Sequence, residues 1–163
     1  ILQIIEYAGR YYERFPRGTQ KWSENEFRDH LCLFLNYPYR LTGTVTGETF
    51  VKKGKTDILI RDQDLDIFIG ECKIWKGPST ISEDLNQLFD RYVTWSASKS
   101  ALIYFNRGGN TIDVLEKLKS IIPEYKYCTA LSEEKGASRI HFKFKNPSDD
   151  RKQIDFAVIV FPV

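Results

Sequence analysis

The stretch GKTDILIRDQDLDIFIGECKIWKG, residues 54–77, decides how the rest of the chain is read. TDILIRD and LDIFIGECKI are short runs dense in Ile, Leu and Phe, separated by the dipeptide QD, which predicts two strands joined by a tight antiparallel turn. Alternate residues of a strand share a face. Ile67, Ile69, Glu71 and Lys73 therefore lie on one side, and Phe68, Gly70, Cys72 and Ile74 on the other. Apolar residues on both faces mark an internal strand covered by helices. Asp57 opens the first strand, while Glu71 and Lys73 close the second. The hairpin thus brings three charges together at one end of an otherwise apolar sheet.

Burying carboxylates and an ammonium costs several kcal/mol each unless something offsets it. Two neighbouring carboxylates also repel, which raises a pKa unless a cation intervenes. A divalent cation resolves the conflict, and two hard oxygen ligands suit Mg²⁺, which keeps several of its waters. A metal-bound water is an acidified nucleophile. Lys73 beside it is placed to orient or deprotonate that water and to stabilise charge growing on a phosphate. Asp57, Glu71 and Lys73 together hold the groups needed for metal-assisted phosphodiester hydrolysis. A structural Glu71–Lys73 salt bridge is the plainer alternative.

Outward from the hairpin, the pattern alternates between helical and extended. Residues 1–14 space Ile1, Ile4, Ile5, Ala8 and Tyr12 as a helix, and RFPRGTQKW breaks it. SENE puts Ser23 at an N-cap with Glu26 three residues on, predicting a second helix to about Asn36, before the Tyr-Pro step. GTVTGETFV reads as a strand ahead of the hairpin. After KGPST, Ile81, Leu85, Leu88, Phe89, Tyr92 and Trp95 form the apolar stripe of a helix of about four turns. SALIYFN is a strand, TIDVLEKLKSII a helix, and EYKYCTAL, SRIHFKFK and QIDFAVIVFPV read as two or three further strands. A helix between two strands implies a crossover, so the expected class is α/β, a mixed sheet with helices on both faces.

The 163 residues, 42% apolar, suit one domain with a core that needs no staples. Cys32, Cys72 and Cys128 are too few and too scattered for a disulfide framework or a zinc site, which favours a reducing, cytoplasmic setting. No apolar run approaches membrane-span length, and ILQIIEYAGRYYERF does not read as a signal peptide. The net charge of +2 announces no nucleic-acid binder globally, so such a case must rest on local patches. The absence of methionine reads as the mark of a fragment of a longer protein with additional domains.

TDILI…IGECK, preceded by a helix and followed by an apolar helix and a strand, resembles the PD-(D/E)XK nuclease superfamily, over roughly residues 23–106. The resemblance implies a restriction-endonuclease-like core and a Mg²⁺-dependent endonuclease or other nuclease, Mn²⁺ also serving, which acts on nucleic acid, DNA rather than RNA. Asp57 matches the family's metal-binding aspartate, Glu71 the acidic residue of its ExK element and Lys73 the lysine. Thr56 stands where the name-giving proline would be. Members often add a metal-binding carboxylate from the first core helix, which implies Glu24 or Glu26 here. Glu24 shares a helical face with Leu31 and Leu35 and is favoured, whereas Glu26 already has a capping role. Gln87 matches the polar residue that many members carry on the helix after the ExK strand; it also reads as a solvated flank residue. Members often dimerise to cut both strands, so a homodimer falls within the expectation. The rival class is an inactive nuclease-fold module that binds nucleic acid or a protein.

Other residues are weaker candidates. His30 and His141 read as surface or helix-flank residues, and Glu48 as a plain edge residue. Lys52, Lys53 and Lys55 crowd the turn before Asp57 and could steer a phosphate backbone, with Lys76, Arg91 and Arg107 extending the patch. Trp22, Trp75 and Trp95 read as core residues, Trp75 also as a stacking platform. FNRGGN, residues 105–110, lacks the P-loop pattern and reads as a strand-to-helix turn. IDFAVIVFPV would offer a sticky edge for a partner if it lay at the border of the sheet.

Overall fold

The computed structural model describes residues 1–39, 44–51, 54–135 and 138–163. Its elements are helices α1 (Leu2–Arg14), α2 (Pro16–Thr19) and α3 (Glu24–Tyr39), then strands β1 (Thr44–Val51), β2 (Gly54–Asp62) and β3 (Leu65–Ile74). Helix α4 (Ile81–Asn86) runs into a π turn over Gln87–Tyr92, followed by β4 (Lys99–Asn106) and α5 (Thr111–Ile121). Strands β5 (Cys128–Lys135), β6 (Arg139–Asn146) and β7 (Asp149–Pro162) complete one seven-stranded sheet, in the order β1-β2-β3-β4-β7-β6-β5. The pairs β3/β4 and β4/β7 are parallel and the others antiparallel, so the expected mixed α/β sheet is present.

Period-2 burial explains why both faces are covered. Leu59, Ile69, Leu102 and Val158 face Leu85, Leu88, Phe89, Val114 and Leu118 from α4, the π turn and α5. Ile58, Ile60, Phe68, Ile103, Ile159 and Phe161 face Ile5, Ala8, Tyr12, Phe27 and Leu31 from α1 and α3. Each fully buried aliphatic or aromatic side chain contributes on the order of 1.5–3 kcal/mol. No helix among the described residues is long and apolar enough to cross a membrane. The three cysteines are unpaired with one another.

Local chemistry sets the ends of the elements. At α3 the reciprocal capping box forms: Ser23 N–H and Oγ–H donate to Glu26 Oε2 at 2.6 and 2.8 Å, and Glu26 N–H donates to Ser23 Oγ at 3.3 Å. Ser23→Ala should cost about 1 kcal/mol in chemical denaturation; an unchanged midpoint would show that the cap is idle. The β2–β3 turn carries positive φ at Gln63 (46°) and Asp64 (65°), the primed geometry that fits strand twist but strains residues other than glycine. Asp64→Gly should therefore stabilise the chain by about 0.5 kcal/mol, read as a raised melting temperature.

Four sequence expectations need correction. Helix α3 continues to Tyr39, through Pro38. Next to the helix end, the missing proline N–H removes a single bond and does not stop the helix. The helix expected over 81–95 ends at Tyr92, widened by the π turn, and Trp95 lies exposed beyond it with Lys152 Nζ 3.4 Å from its ring centroid. Strand β7 is internal, held between β4 and β6, so IDFAVIVFPV offers no edge; the borders are β1 and β5. His141 sits half-buried on β6, itself inside the sheet. Lys52 and Lys53, and the side chain of Glu48, lie outside the described residues.

Candidate active site

The charged end of the hairpin is built where β2 stops pairing with β3. Their ladder begins at Ile58↔Gly70, so beyond it the β3 N–H groups that point away from β4 need other acceptors. Asp57 Oδ2 accepts from Cys72 N–H at 2.8 Å, and Glu24 Oε1, reaching in from the first turn of α3, accepts from Ile74 N–H at 2.9 Å. Two carboxylates from different elements thus fasten the end of β3. Glu26 is turned to its capping role and Glu24 to the sheet.

Glu71 is 2% exposed, on the face toward α4. Its Oε1 accepts from Lys73 Nζ at 3.1 Å and from Gln87 Nε2 at 2.7 Å. Gln87 Oε1 in turn accepts from Lys73 Nζ at 3.0 Å, which closes a triangle of glutamate, lysine and amide. Among the described residues no donor meets hydrogen-bond geometry with the buried Glu71 Oε2, although the Asp57 backbone N–H is near enough to pull the carboxyl's pKa down. Gln87 is therefore no solvated flank residue; it opens the π turn, an irregularity common at functional sites.

Burial, followed by the Asp57 charge, pushes the Glu71 carboxyl up to about 8, against the pull of Lys73. Asp57 is also raised, chiefly by burial and further by Glu24, while Cys72 N–H, Lys73 and Arg28 oppose the shift. Burial works against the Lys73 ammonium, yet the Glu71 charge and hydrogen bond outweigh it and hold the lysine above its usual range. Lys73 is therefore a fixed cation at neutral pH.

Three neighbours escaped the sequence reading. Arg28, one helical turn after Glu24, is buried with Nη1 4.0 Å from Asp57 Oδ1 and also bonds Asn25 and Asp29. Its i+4 spacing from Glu24 was the available signal. Tyr92, assigned to the core stripe, accepts from Gln87 Nε2 at 2.9 Å through its hydroxyl. Asp84, buried on α4, accepts from Tyr104 O–H at 2.8 Å and from Thr80 at 3.3 Å, and burial raises its pKa. Tyr104 pairs in register with Lys73 on the adjacent strand, so Asp84 supports the site from behind.

Elsewhere, Lys55, Lys76 and Arg91 are exposed, and Arg107 donates to the Trp22 carbonyl. Trp75 packs edge-on against Tyr104 at 5.2 Å, half-buried. FNRGGN is the expected turn: Gly109 has φ +82° and Asn110 caps α5 by accepting from Ile112 N–H. His30 lies among Tyr11, Tyr12, Trp22 and Phe34, with Nδ1 3.3 Å from the Tyr12 hydroxyl.

Among the described residues no three His, Cys, Asp or Glu side chains are gathered as a ready-made metal cage. The arrangement is instead two carboxylates, Asp57 and Glu71, near enough for the charge of the first to raise the pKa of the second. Comparison of the chain with protein-family models, with curated proteins and with solved structures gave no match.

Proposed function

We propose that the chain is a Mg²⁺-dependent nuclease, with Mn²⁺ as a substitute, acting on DNA through a restriction-endonuclease-like core. The observation that carries the reading is the buried Glu71 carboxylate near Asp57, with Lys73 and Gln87 both engaged on Oε1 and no side-chain donor on Oε2 among the described residues. A buried carboxylate oxygen without a donor is costly unless a cation completes it. The order helix, three antiparallel strands, helix, parallel strand further supports that core.

Asp57 and Glu71 would hold the metal, and Glu24 lies close enough to add its charge. The ion would supply a Lewis acid and an acidified water at the phosphate. Lys73 donates from an ammonium fixed at two points, ready to stabilise the negative charge that grows on the phosphate oxygens. Gln87 donates to Glu71 Oε1 and so helps fix the side chain, and Oε2 would be the oxygen available to the ion. The cationic state of Lys73 favours this electrostatic part over the role of base.

Cleavage of supercoiled plasmid, single-stranded DNA and RNA with Mg²⁺, Mn²⁺ or EDTA tests the reading. Cutting should require the metal and vanish in Asp57→Ala. A protein that binds DNA tightly but leaves every substrate intact would favour the inactive binding module.

A further inference from the structure

The exposed flank of α1 beside α3 carries a ladder-like row of rings. Tyr7 and Tyr11 on the helix and Phe15 at its C-cap are 62, 42 and 55% exposed, while Ile5, Ala8 and Tyr12, about a quarter turn round the helix, are buried. The Tyr11 and Phe15 ring centroids stand 4.9 Å apart, and four helical residues advance about 6 Å along the axis. Basic side chains accompany the rings in the chain: Arg10, 5.9 Å over the Tyr7 ring, Arg14 at the end of α1, and Arg17 and Lys21 just beyond it, all exposed. Between residues 7 and 21 Glu13 is the sole acidic residue, and Glu6 just before it is paired with Arg139 at 3.2 Å.

The ladder also has a direction. Helices α1 and α3 pack antiparallel, Tyr7 against Phe34, Tyr11 against His30 and Tyr12 against Phe27. Its Phe15 end therefore adjoins the start of α3, where Glu24 reaches β3. Arg107 closes the same corner through its bond to the Trp22 carbonyl.

We propose that this ladder binds an unpaired polynucleotide strand and feeds it to the site; the inference rests on, and deepens, the phosphodiesterase reading. Exposed rings at regular steps suit bases, which stack on any aromatic face, and the arginines and lysine suit the phosphates between them. A duplex keeps its bases stacked inside and would meet only the cations. A second copy of the chain is the poorer occupant. A two-fold interface on α1 would bring the same four basic side chains against each other.

The test is fluorescence anisotropy in EDTA with oligothymidine, oligouridine and a duplex of equal length. Tyr11→Leu and Phe15→Leu keep apolar area but remove the π face, whereas Phe15→Trp restores it. Each leucine variant should weaken oligothymidine or oligouridine binding by about ten-fold. The duplex should change less than two-fold, and Phe15→Trp should bind as the parent does. The two single strands together separate a DNA-like from an RNA-like ligand, differing in the sugar and in the C5 methyl of the base. Unchanged single-strand binding in the leucine variants, no single-strand binding by the parent, or a dimer in sedimentation that buries the ladder would each overturn the proposal. Because no cleavage is involved, a protein that stacks strands but never cuts would sink the phosphodiesterase reading alone. Metal-dependent cutting by leucine variants with intact strand binding would sink the ladder alone.

Discussion

Lys73→Ala should lower phosphodiester cleavage by about 10²–10⁴-fold at saturating Mg²⁺ while leaving the protein folded. The side chain bridges Glu71 and Gln87 at 3.1 and 3.0 Å, so its ammonium cannot swing to water and is held where charge would develop. Its removal leaves Glu71 without its cation, and the carboxyl, already displaced toward the neutral form, answers by taking a proton. That response limits the damage to stability, and because a protonated Glu71 holds Mg²⁺ less well the variant should also bind the metal more weakly. Lys73→Arg keeps the charge but not the fit between two acceptors, and should recover only a small part of the rate. Steady-state cleavage rates together with Mg²⁺ titration calorimetry decide it. A Lys73→Ala protein that cuts at the parental rate would exclude any role for this lysine in the reaction.

The second large effect concerns pH. Glu71 goes from 4.5 in the unfolded chain to about 8 in the folded, metal-free protein. Below pH 4.5 both states are protonated and the group contributes no penalty. As pH rises from there the unfolded chain releases its proton and the folded one does not, so stability falls until about pH 8 and then levels off. At about 1.4 kcal/mol per unit the full span is on the order of 5 kcal/mol. Denaturant melts in EDTA at pH 5, 7 and 9 should show this decline, and Glu71→Gln should flatten it. Added Mg²⁺ needs the charged carboxylate, so it should raise the melting temperature more at pH 9 than at pH 6. A parental profile as flat as that of Glu71→Gln would mean that the carboxylate is ionised throughout.

The meeting of Asp57 with Glu71 and Lys73 was legible for a local reason. A hairpin with a two-residue turn brings the start of β2 to the end of β3, even though the ladder shifts by one residue between Ile60 and Arg61. Glu24 and Gln87 were implied by the family resemblance, and the helical face shared with Leu31 and Leu35, with Glu26 taken by the cap, favoured Glu24 over its neighbour. What was not legible is non-local. Periodicity marks QIDFAVIVFPV, residues 153–163, as a strand but cannot say that it inserts between β4 and β6. Nor does the apolar stripe of 81–95 announce a π turn, because Leu88, Phe89 and Tyr92 satisfy an ordinary helix equally well. Only the partners of Gln87 and Tyr92 at the site distinguish the two.

The central place of β7 also dictates an order of events during synthesis. When β4 leaves the ribosome, its outer edge has no partner, and α5, β5 and β6 must all be made before β7 arrives to cover it. For that interval an apolar strand, Ala101 to Phe105, stands with its backbone groups open to any passing chain. The nascent protein is thus most exposed to misassembly just after its candidate site has been translated. Chaperone dependence should track the delay between β4 and β7 rather than the stability of the finished molecule.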